Sequence, residues 1–379
     1  MRLYTVSSVF DVAADVWNAC ANYDGYNPFV AHEFFAALEK SGSATAKTGW
    51  AGQHLIYEND QGTIEGIAPC YLKSHSQGEY VFDHGWAEAF HRAGGHYYPK
   101  LQCSVPFTPV KGPRLLAAKP QARALLAKGL VALCKEINAS SAHITFLPEV
   151  DWLNADQKNW LLRQDIQFHW HNNGYATFAD FLASLSSSKR KNIRKERQSV
   201  INAGITFDLV TGKALKEHHW DAFFEFYTDT GSRKWGSPYL TRKFFSLINK
   251  SMANSILLVL AKRNDRIIAG ALNFIGSDAL YGRNWGANEH HPNLHFEACY
   301  YQAIEFAIAR KLQRVEAGAQ GQHKLARGYL PEKTYSLHHL AHPGLARAVK
   351  QYLEQERATI DQDQVLLAEH SPFRLEREE

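Results

Sequence analysis

Hydrophobic and polar residues alternate in two hairpin-like stretches, one early and one late in the chain. The first covers residues 54–58 and 64–68, with a polar turn at 59–62. The second covers residues 256–261 and 267–272. Alternation interrupted by a polar turn predicts paired antiparallel strands. An aromatic segment follows each hairpin, at 79–86 and at 279–286, and we predict a further strand in each. The repetition predicts two related halves.

Helical spacing of apolar residues separates these strands. It predicts helices over 120–138 and 296–311, and a short strand over 313–317 enters a glycine-rich turn. Helices between strands are typical of an α/β fold with mixed sheets, because parallel neighbours need helical crossovers. A long helix over 178–203 opens the second half, and a C-terminal helix over 345–367 ends it. We place the domains at 1–173 and 174–379.

Composition fits an ordinary globular protein. The 379 residues are 45% hydrophobic and 21% charged, which is enough material for a sizeable core. The apolar stretches are shorter than the about 20 residues that a spanning helix needs, and acidic Asp11 and Asp15 interrupt the region of a signal peptide. We therefore expect a cytoplasmic protein without a membrane span.

Cysteine and histidine spacing predicts neither disulfides nor a metal site. The five cysteines are scattered, and we expect reduced thiols. The adjacent histidines at 290–291 and 338–339 point apart in regular structure, so we expect no metal. The net charge of +4 is too small to indicate nucleic acid, and local charge has to decide that question.

The densest positive charge lies at residues 189–197, which hold six cations. On a helix, Arg190, Arg194 and Arg197 fall on one stripe, which would suit the phosphates of coenzyme A, a nucleotide, a lipid diphosphate or tRNA. A solvated basic face is an equally good interpretation.

Two sets of aromatic and cationic residues are candidates for lining a substrate site. Lys234 and Trp235 stand in a predicted loop, where the tryptophan either lines a ligand or fills the core. Tyr281, Arg283 and Trp285 alternate along a predicted strand, so we expect their side chains on one face. Glu297 is the expected ion-pair partner of Arg283 if that arginine is structural.

The segment from Glu316 to Tyr329 is our first choice for the site. An acid at a strand end is followed by glycines and then by His323, Lys324 and Arg327. Such a segment supplies a base, anion-binding side chains and backbone that a ligand can approach. In the first half, Asp83, His84 and Trp86 form the corresponding spot on a predicted strand, where we favour substrate lining or packing.

Several of these segments resemble a known family. Residues 281–283, the helix 296–310, the strand 315–318 and residues 324–329 look like the second half of Fem-type aminoacyl transferases of the acetyltransferase (GNAT) superfamily, and 188–195 looks like the segment that opens that half. Residues 72–76, 80–86, 231–236 and 316–329 resemble more closely the FemAB-like N-acyltransferases of peptidoglycan biosynthesis or recognition, over roughly 32–353.

The resemblance implies a tandem GNAT-like, Fem-type fold that transfers an acyl or aminoacyl group to an amine of a cell-wall precursor or another small metabolite. It assigns base roles to Glu316 and His323 and anion binding to Lys324, Arg327 and Arg283. The donor would be acyl-CoA or aminoacyl-tRNA, and residues 283–288 match the usual pyrophosphate loop only in part. The alternatives are an aminoacyl-tRNA-dependent transferase and a non-catalytic module that binds a peptidoglycan fragment.

Overall fold

A computed structural model of the protein describes residues 1–234, 238–318 and 321–374, with the side chains of 231–234 and 322 outside the description. The strands are β1 (Arg2–Val6), β2 (Trp50–Gly52), β3 (His54–Glu58), β4 (Ile64–Ala68), β5 (Cys70–Lys73), β6 (Lys100–Cys103), β7 (Ser141–Leu147), β8 (Leu161–His171), β9 (Ile205–Thr211), β10 (Ile256–Arg263), β11 (Arg266–Ile275), β12 (Ala279–Ala287), β13 (Arg314–Glu316) and β14 (Leu330–Leu340).

The helices follow the same chain order. They are α1 (Ala14–Ala21), α2 (His32–Lys40), α3 (His84–Arg92), α4 (Pro120–Glu136), α5 (Glu149–Leu153), α6 (Phe178–Ser184), α7 (Ser187–Asn202), α8 (Glu217–Lys234), α9 (Arg242–Met252), α10 (Leu294–Phe296), α11 (Gln302–Ala309) and α12 (Pro343–Glu369). A π-helical turn, Glu297–Tyr301, joins α10 to α11, and a 3-10 helix covers Gln322–Arg327.

The chain forms two compact units. Unit 1 holds Met1–Ile166 and Lys333–Gln362, and unit 2 holds Gln167–Glu332 and the chain from Asp363 on. Strand β14 and most of α12 therefore group with the N-terminal part of the chain. The linear division after residue 173 stays a prediction.

Strands pair in the same pattern in both units. In unit 1 the order β2-β5-β6-β7-β14 contains one parallel pair, β6 with β7, and in unit 2 the order β9-β10-β11-β12-β13-β8 contains one, β12 with β13. A helical crossover precedes the second strand of each parallel pair, as expected from the sequence. The predicted hairpins are confirmed as β3–β4 and β10–β11, and the helices at 120–138, 296–311 and 345–367 are confirmed as well.

Two predicted elements are wrong. Residues 79–86 are not a strand, because Tyr80 has a φ of 59° and α3 begins at His84. The helix predicted over 178–203 is two helices, α6 and α7. Leu185 between them is extended and forms a β-bridge with Phe373, while the Ser186 N–H donates to the carbonyl of Pro372 at 2.9 Å.

The sheet of unit 1 has one apolar and one polar face, and both are buried. Leu101 and Ile144 belong to the core under α4. The side chains that alternate with these residues along the strands face the other way, and those of Lys100 and His143 are 1% and 2% exposed. A sheet buried on both faces is usually apolar on both, so a buried polar face draws attention to its contents.

The core of unit 2 brings two helices onto its sheet. Gly286 on β12 makes the approach of α8 feasible, since a Cβ there would lie 2.3 Å from the carbonyl oxygen of Phe226. On α7, Val200 packs with Ile205 and Leu294. Among the described residues no helix is long and apolar enough to cross a membrane.

Candidate functional site

The first-ranked segment begins at a buried carboxylate. Glu316 ends β13, is 2% exposed, and accepts a hydrogen bond from the Arg314 Nε at 2.9 Å. Arg314 also donates to Asp278. Burial, and next the charge of Glu316, raise the pKa of the neighbouring Tyr281. Glu316 is thus held as the ion-pair partner of an arginine within the sheet.

A buried lysine closes the end of the same strand. The Lys324 Nζ donates to the carbonyl oxygens of Ala317 and Gly318, at 2.8 Å each, and the residue is 2% exposed. Burial lowers its pKa to about 8. A lysine ammonium has three N–H donors, so one donor has no partner among the described residues, which do not include 319–320. Lys324 therefore carries a desolvated charge with spare hydrogen-bonding capacity.

His323 stands next to this lysine but is exposed. Its Nε2 lies 2.9 Å from the hydroxyl oxygen of Tyr300, which belongs to the π-helical turn. Burial, and then the positive charges of Arg327 and Lys324, lower the pKa of His323. The imidazole is consequently neutral at pH 7, which is the form that accepts a proton.

Arg327 fixes the position of this segment. Its Nη1 donates to the His323 carbonyl at 2.7 Å, and its Nε and Nη2 bind the two carboxylate oxygens of Glu196 at 3.1 and 2.6 Å. The guanidinium carbon lies 3.4 Å from the ring centroid of Phe296. Tyr301 also donates to Glu196. Helix α7 is therefore fastened to the His323 segment through one carboxylate.

The arginines of helix α7 fall into two groups, one paired with glutamates and one without a partner among the described residues. Arg197, predicted to share a stripe with Arg190 and Arg194, points inward and binds both Glu297 and Glu305 through two hydrogen bonds each, at 2.8–3.1 Å. The sequence had suggested Arg283 as the partner of Glu297. In the structure the partner of Glu297 is instead Arg197. The side chains of Arg190 and Arg194 make no hydrogen bond or ion pair with the part of the chain that the structure describes, and Arg194 is exposed.

A β-bulge separates the aromatic residues of β12. Phe274 pairs with Tyr281 and Gly270 with Gly286, and the register shifts between these pairs, so Arg283 is the extra residue. Phe274 and Gly270 share a face of β11, so Tyr281 and Gly286 share one too. Trp285 therefore projects from the opposite face, and the prediction of a common face is wrong.

On its own face, Trp285 joins the His323 group. The Trp285 and His295 rings are 5.4 Å apart, His295 lies 5.4 Å from Tyr300, and His323 lies 6.4 Å from His295. The predicted loop is wrong at Lys234, which is the last residue of α8, and the side chain of Lys234 is not described. Trp235 lies outside the described residues, so the ligand role of both residues stays a prediction.

In unit 1, Asp83 belongs to a buried ionic cluster rather than to a strand. Its Oδ2 accepts from the Lys100 Nζ at 2.6 Å and from the Tyr97 hydroxyl at 2.8 Å. His84, by contrast, is exposed and stacks on Phe82. Trp86 is 7% exposed and packs edge-on against His338. The three neighbours in sequence therefore have three separate roles.

The rest of this cluster has no sequence signature. Lys100 also binds Glu79 at 2.9 Å, and Lys73 lies 3.5 Å from the same carboxylate. Burial lowers the pKa of Lys73 to about 7 and raises that of Glu79. Beside them, the His143 Nδ1 lies 2.7 Å from the His338 Nδ1. Burial, followed by the charge of Lys100, lowers the pKa of His143 to about 3.

The structure thus brings together His323, Lys324, Arg327, Glu297 and Trp285 around the π-helical turn, and it places Glu316 and Tyr281 with Arg314. Sequence analysis missed Glu196 and Tyr300 and assigned Arg197 to a phosphate-binding stripe, because the partners of all three lie far away in the chain. The π-helical turn, which only the structure reveals, is a signal for this site, since such turns are frequent at functional sites. The described residues contain no group of three or more His, Cys, Asp or Glu side chains suited to a metal ion.

Solved structures with the same fold cover nearly the whole chain. FemX shares 12% identity at a TM-score of 0.55, covering 92% of this chain and 100% of FemX. L-PGS from Bacillus licheniformis shares 9% identity at a TM-score of 0.52, covering 87% of this chain and 98% of L-PGS. These likenesses establish the GNAT-like, Fem-type fold expected from the sequence.

The sequence itself was compared with protein families and with curated proteins. No curated protein sequence matches this chain significantly. A family model, FemAB-like with the description peptidoglycan biosynthesis/recognition, matches residues 8–375. The chain therefore belongs to the FemAB-like family.

Proposed function

We propose that this protein transfers an acyl or aminoacyl group to the amine of a cell-wall precursor or another small metabolite in the cytoplasm, and that the reacting groups lie at the His323 segment. The observation that carries the proposal is the pairing of an exposed, neutral imidazole with a buried ammonium one residue away. Acyl transfer to an amine needs a proton acceptor and a positive charge near the carbonyl oxygen.

The chemistry follows from these two groups. The amine nitrogen attacks the donor carbonyl, the new C–N bond forms, and the C–O or C–S bond to the donor breaks. His323 accepts the proton that the nitrogen loses, because its lowered pKa keeps it neutral. The third N–H of Lys324 faces the negative charge that develops on the carbonyl oxygen, where a desolvated donor is most effective.

The pKa directions set the pH dependence of the rate. Activity falls on the acid side when His323 becomes protonated, and on the alkaline side above about pH 8, where Lys324 loses its proton. We therefore expect a bell-shaped profile of kcat/KM, whose alkaline limb is absent in Lys324→Arg. Arginine keeps its charge across this range.

Glu316 remains the second candidate base, and one pair of variants separates the two. We expect His323→Gln to lower turnover about 10²- to 10⁴-fold, the usual contribution of a general base. If His323 is the base, Glu316→Gln changes turnover less, because that carboxylate is buried against Arg314. The matched control is His218→Gln, an exposed histidine of the same unit. Full activity of His323→Gln would remove the proposal.

A second candidate, with an aminoacyl-tRNA ester as donor, is favoured by the outer face of α7. Arg190 and Arg194 have no ion-pair partner among the described residues, and Lys191 and Lys195 beside them are exposed. Fem-type enzymes, which the chain resembles, use such donors. Binding of charged tRNA would weaken steeply with salt, and Arg190→Ala with Arg194→Ala would reduce the slope of log K against log salt by about 2.

The control for that titration is an acyl-CoA measured in parallel. If acyl-CoA binds and tRNA does not, the tRNA donor is ruled out in favour of a thioester. If the double variant leaves the tRNA slope unchanged, the α7 face does not bind the tRNA phosphates. Lys243→Ala with Lys250→Ala, both exposed on α9, serves as the matched loss of two charges.

A further inference from the structure

A large apolar groove lies in unit 1, on the α4 side of the sheet, and the proposed function does not use it. Its volume is about 1180 Å³. Its walls and floor are formed mainly by small and apolar side chains, among them Ala124, Ala127, Val131, Ala155, Trp160 and Leu337. Ligand sites usually measure about 300–1,000 Å³ and are predominantly apolar, so this groove is slightly larger than most and has the lining of one.

Three basic side chains, those of Arg123, Lys128 and Lys135, line the groove along α4. Lys128 interacts electrostatically with the groove carboxylate Asp156, so Lys135 has the least compensated charge among the described lining residues. Lys135, in the last turn of α4, lines one end of the groove together with His96 and His342. At the opposite end Arg123 is already neutralised by Asp151, with 2.8 Å between Nε and Oδ1. The remaining carboxylate, Asp156, accepts hydrogen bonds from its own turn, at Lys158 and Asn159. An anionic head group is therefore favoured at the Lys135 end.

The helix that borders the groove exposes apolar side chains to solvent. Val150 and Leu153 on α5 are 52% and 62% exposed, and Asp151 between them lines the groove. Exposed large apolar residues scattered singly need no explanation, but here two stand beside an apolar groove. Together they extend the apolar surface that a long chain would cover.

We propose that this groove binds the hydrocarbon chain of a long-chain acyl amphiphile whose anionic head group lies at Lys135. The chain lies along the alanine-lined wall, and Lys135 supplies the charge complementarity. The small side chains keep the groove open, since larger ones at the same positions would fill it. This inference is independent of the reaction proposed for unit 2, and its failure would leave that proposal untouched.

The test is calorimetric titration of the full chain with sodium oleate below its micelle concentration. We expect saturable binding, at least 10-fold weaker binding to Ala132→Trp, and unchanged binding to Ala89→Trp. Ala132 lines the groove and is exposed, so the tryptophan is tolerated by the fold, while Ala89 is an exposed alanine of α3 outside it. Lys135→Glu should weaken oleate at least 5-fold and leave dodecyltrimethylammonium no weaker.

Each other outcome overturns the proposal. Equal binding of oleate to Ala132→Trp and to the unchanged protein would place the ligand elsewhere. Equal affinity for oleate and the cationic amphiphile would remove the role of Lys135. A concentration-dependent dimer that Ala132→Trp abolishes, without oleate binding, would show by light scattering that a second copy of the chain covers the groove.

Discussion

The two units each contain a cluster of ionic side chains, but one is sealed and the other is open. In unit 1 the side chains of Lys100, Glu79 and Asp83 are 1–3% exposed. In unit 2 the pair of Arg327 and Glu196 is 9% and 21% exposed, and His323 at its edge is exposed. The same types of interaction thus hold a buried core in one unit and, in the other, surround the groups that we propose to react.

The difference has an energetic basis. Taking charges out of water costs several kcal/mol per ion, and close ion pairs with additional hydrogen bonds are needed to recover this cost. In unit 1, Lys100 donates to Ser76, Glu79 and Asp83, so all three N–H donors are used. In unit 2, Lys324 uses two donors on backbone carbonyls and has no third partner in the part of the chain that the structure describes. Spare capacity at a partly open site is what a substrate can use.

The sealed cluster should be the more costly one to break. Lys100→Met leaves Glu79 and Asp83 buried without their main counterion, and we expect a loss of about 3–5 kcal/mol in the free energy of unfolding. Urea denaturation measures it, with Lys128→Met on the exposed side of α4 as the matched control. A loss no larger than in the control would mean that the cluster is hydrated and that the contrast between the units is lost.

The sealed unit should also make the protein sensitive to acid. The pKa of His143 falls from 6.5 to about 3 on burial, so between these values the unfolded chain binds one proton more. Stability therefore rises with pH across this window and is lost as pH falls from 6.5. One such group contributes about 1.4 kcal/mol per pH unit. His338 adds a contribution of the same sign, and the raised pKa of Glu79 opposes it.

The variant His143→Asn isolates this contribution. We expect the slope of unfolding free energy against pH, between pH 5 and 6, to fall by about 1.4 kcal/mol per pH unit relative to the unchanged protein. His91→Asn, at an exposed position of α3, should leave the slope as it was. An identical slope in His143→Asn would show that the imidazole already takes up its proton in the folded protein.

Local patterns predicted most of the fold. The hairpins and α4 follow from spacing within about 20 residues, which the chain satisfies without help from distant segments. The break between α6 and α7 could not be seen, because Leu185 is extended only through its bridge to Phe373. Likewise, a short aromatic run predicted a strand at 79–86. In the structure Asp83, which contacts Lys100 and Tyr97, is instead the N-cap residue of α3.

Sequence analysis predicted the central residues of the candidate site only within the segment 316–327. Glycines and ionisable residues at 316–327 drew attention to His323 and Lys324, which the structure places beside the π-helical turn. The partner of Glu297 was expected nearby at Arg283, but it is Arg197, 100 residues away. In unit 1, Lys100 and His143 alternate with apolar residues as on any half-exposed strand, and sequence does not reveal that their face is covered.

The open cluster should respond with a small change in stability and a distinct change in titration. In Glu196→Gln the amide keeps the shape but removes the charge opposite Arg327, and we expect a loss of about 1–2 kcal/mol, less than for Lys100→Met. Arg327 stays in place through the His323 carbonyl and the Phe296 ring. Its charge is then uncompensated, and the pKa of His323 should fall further below its ordinary value.

Proton NMR of the imidazole measures this pKa, with Glu225→Gln on α8 as control. A His323 pKa that rises would mean that Arg327 has moved away and that Glu196 alone positions it.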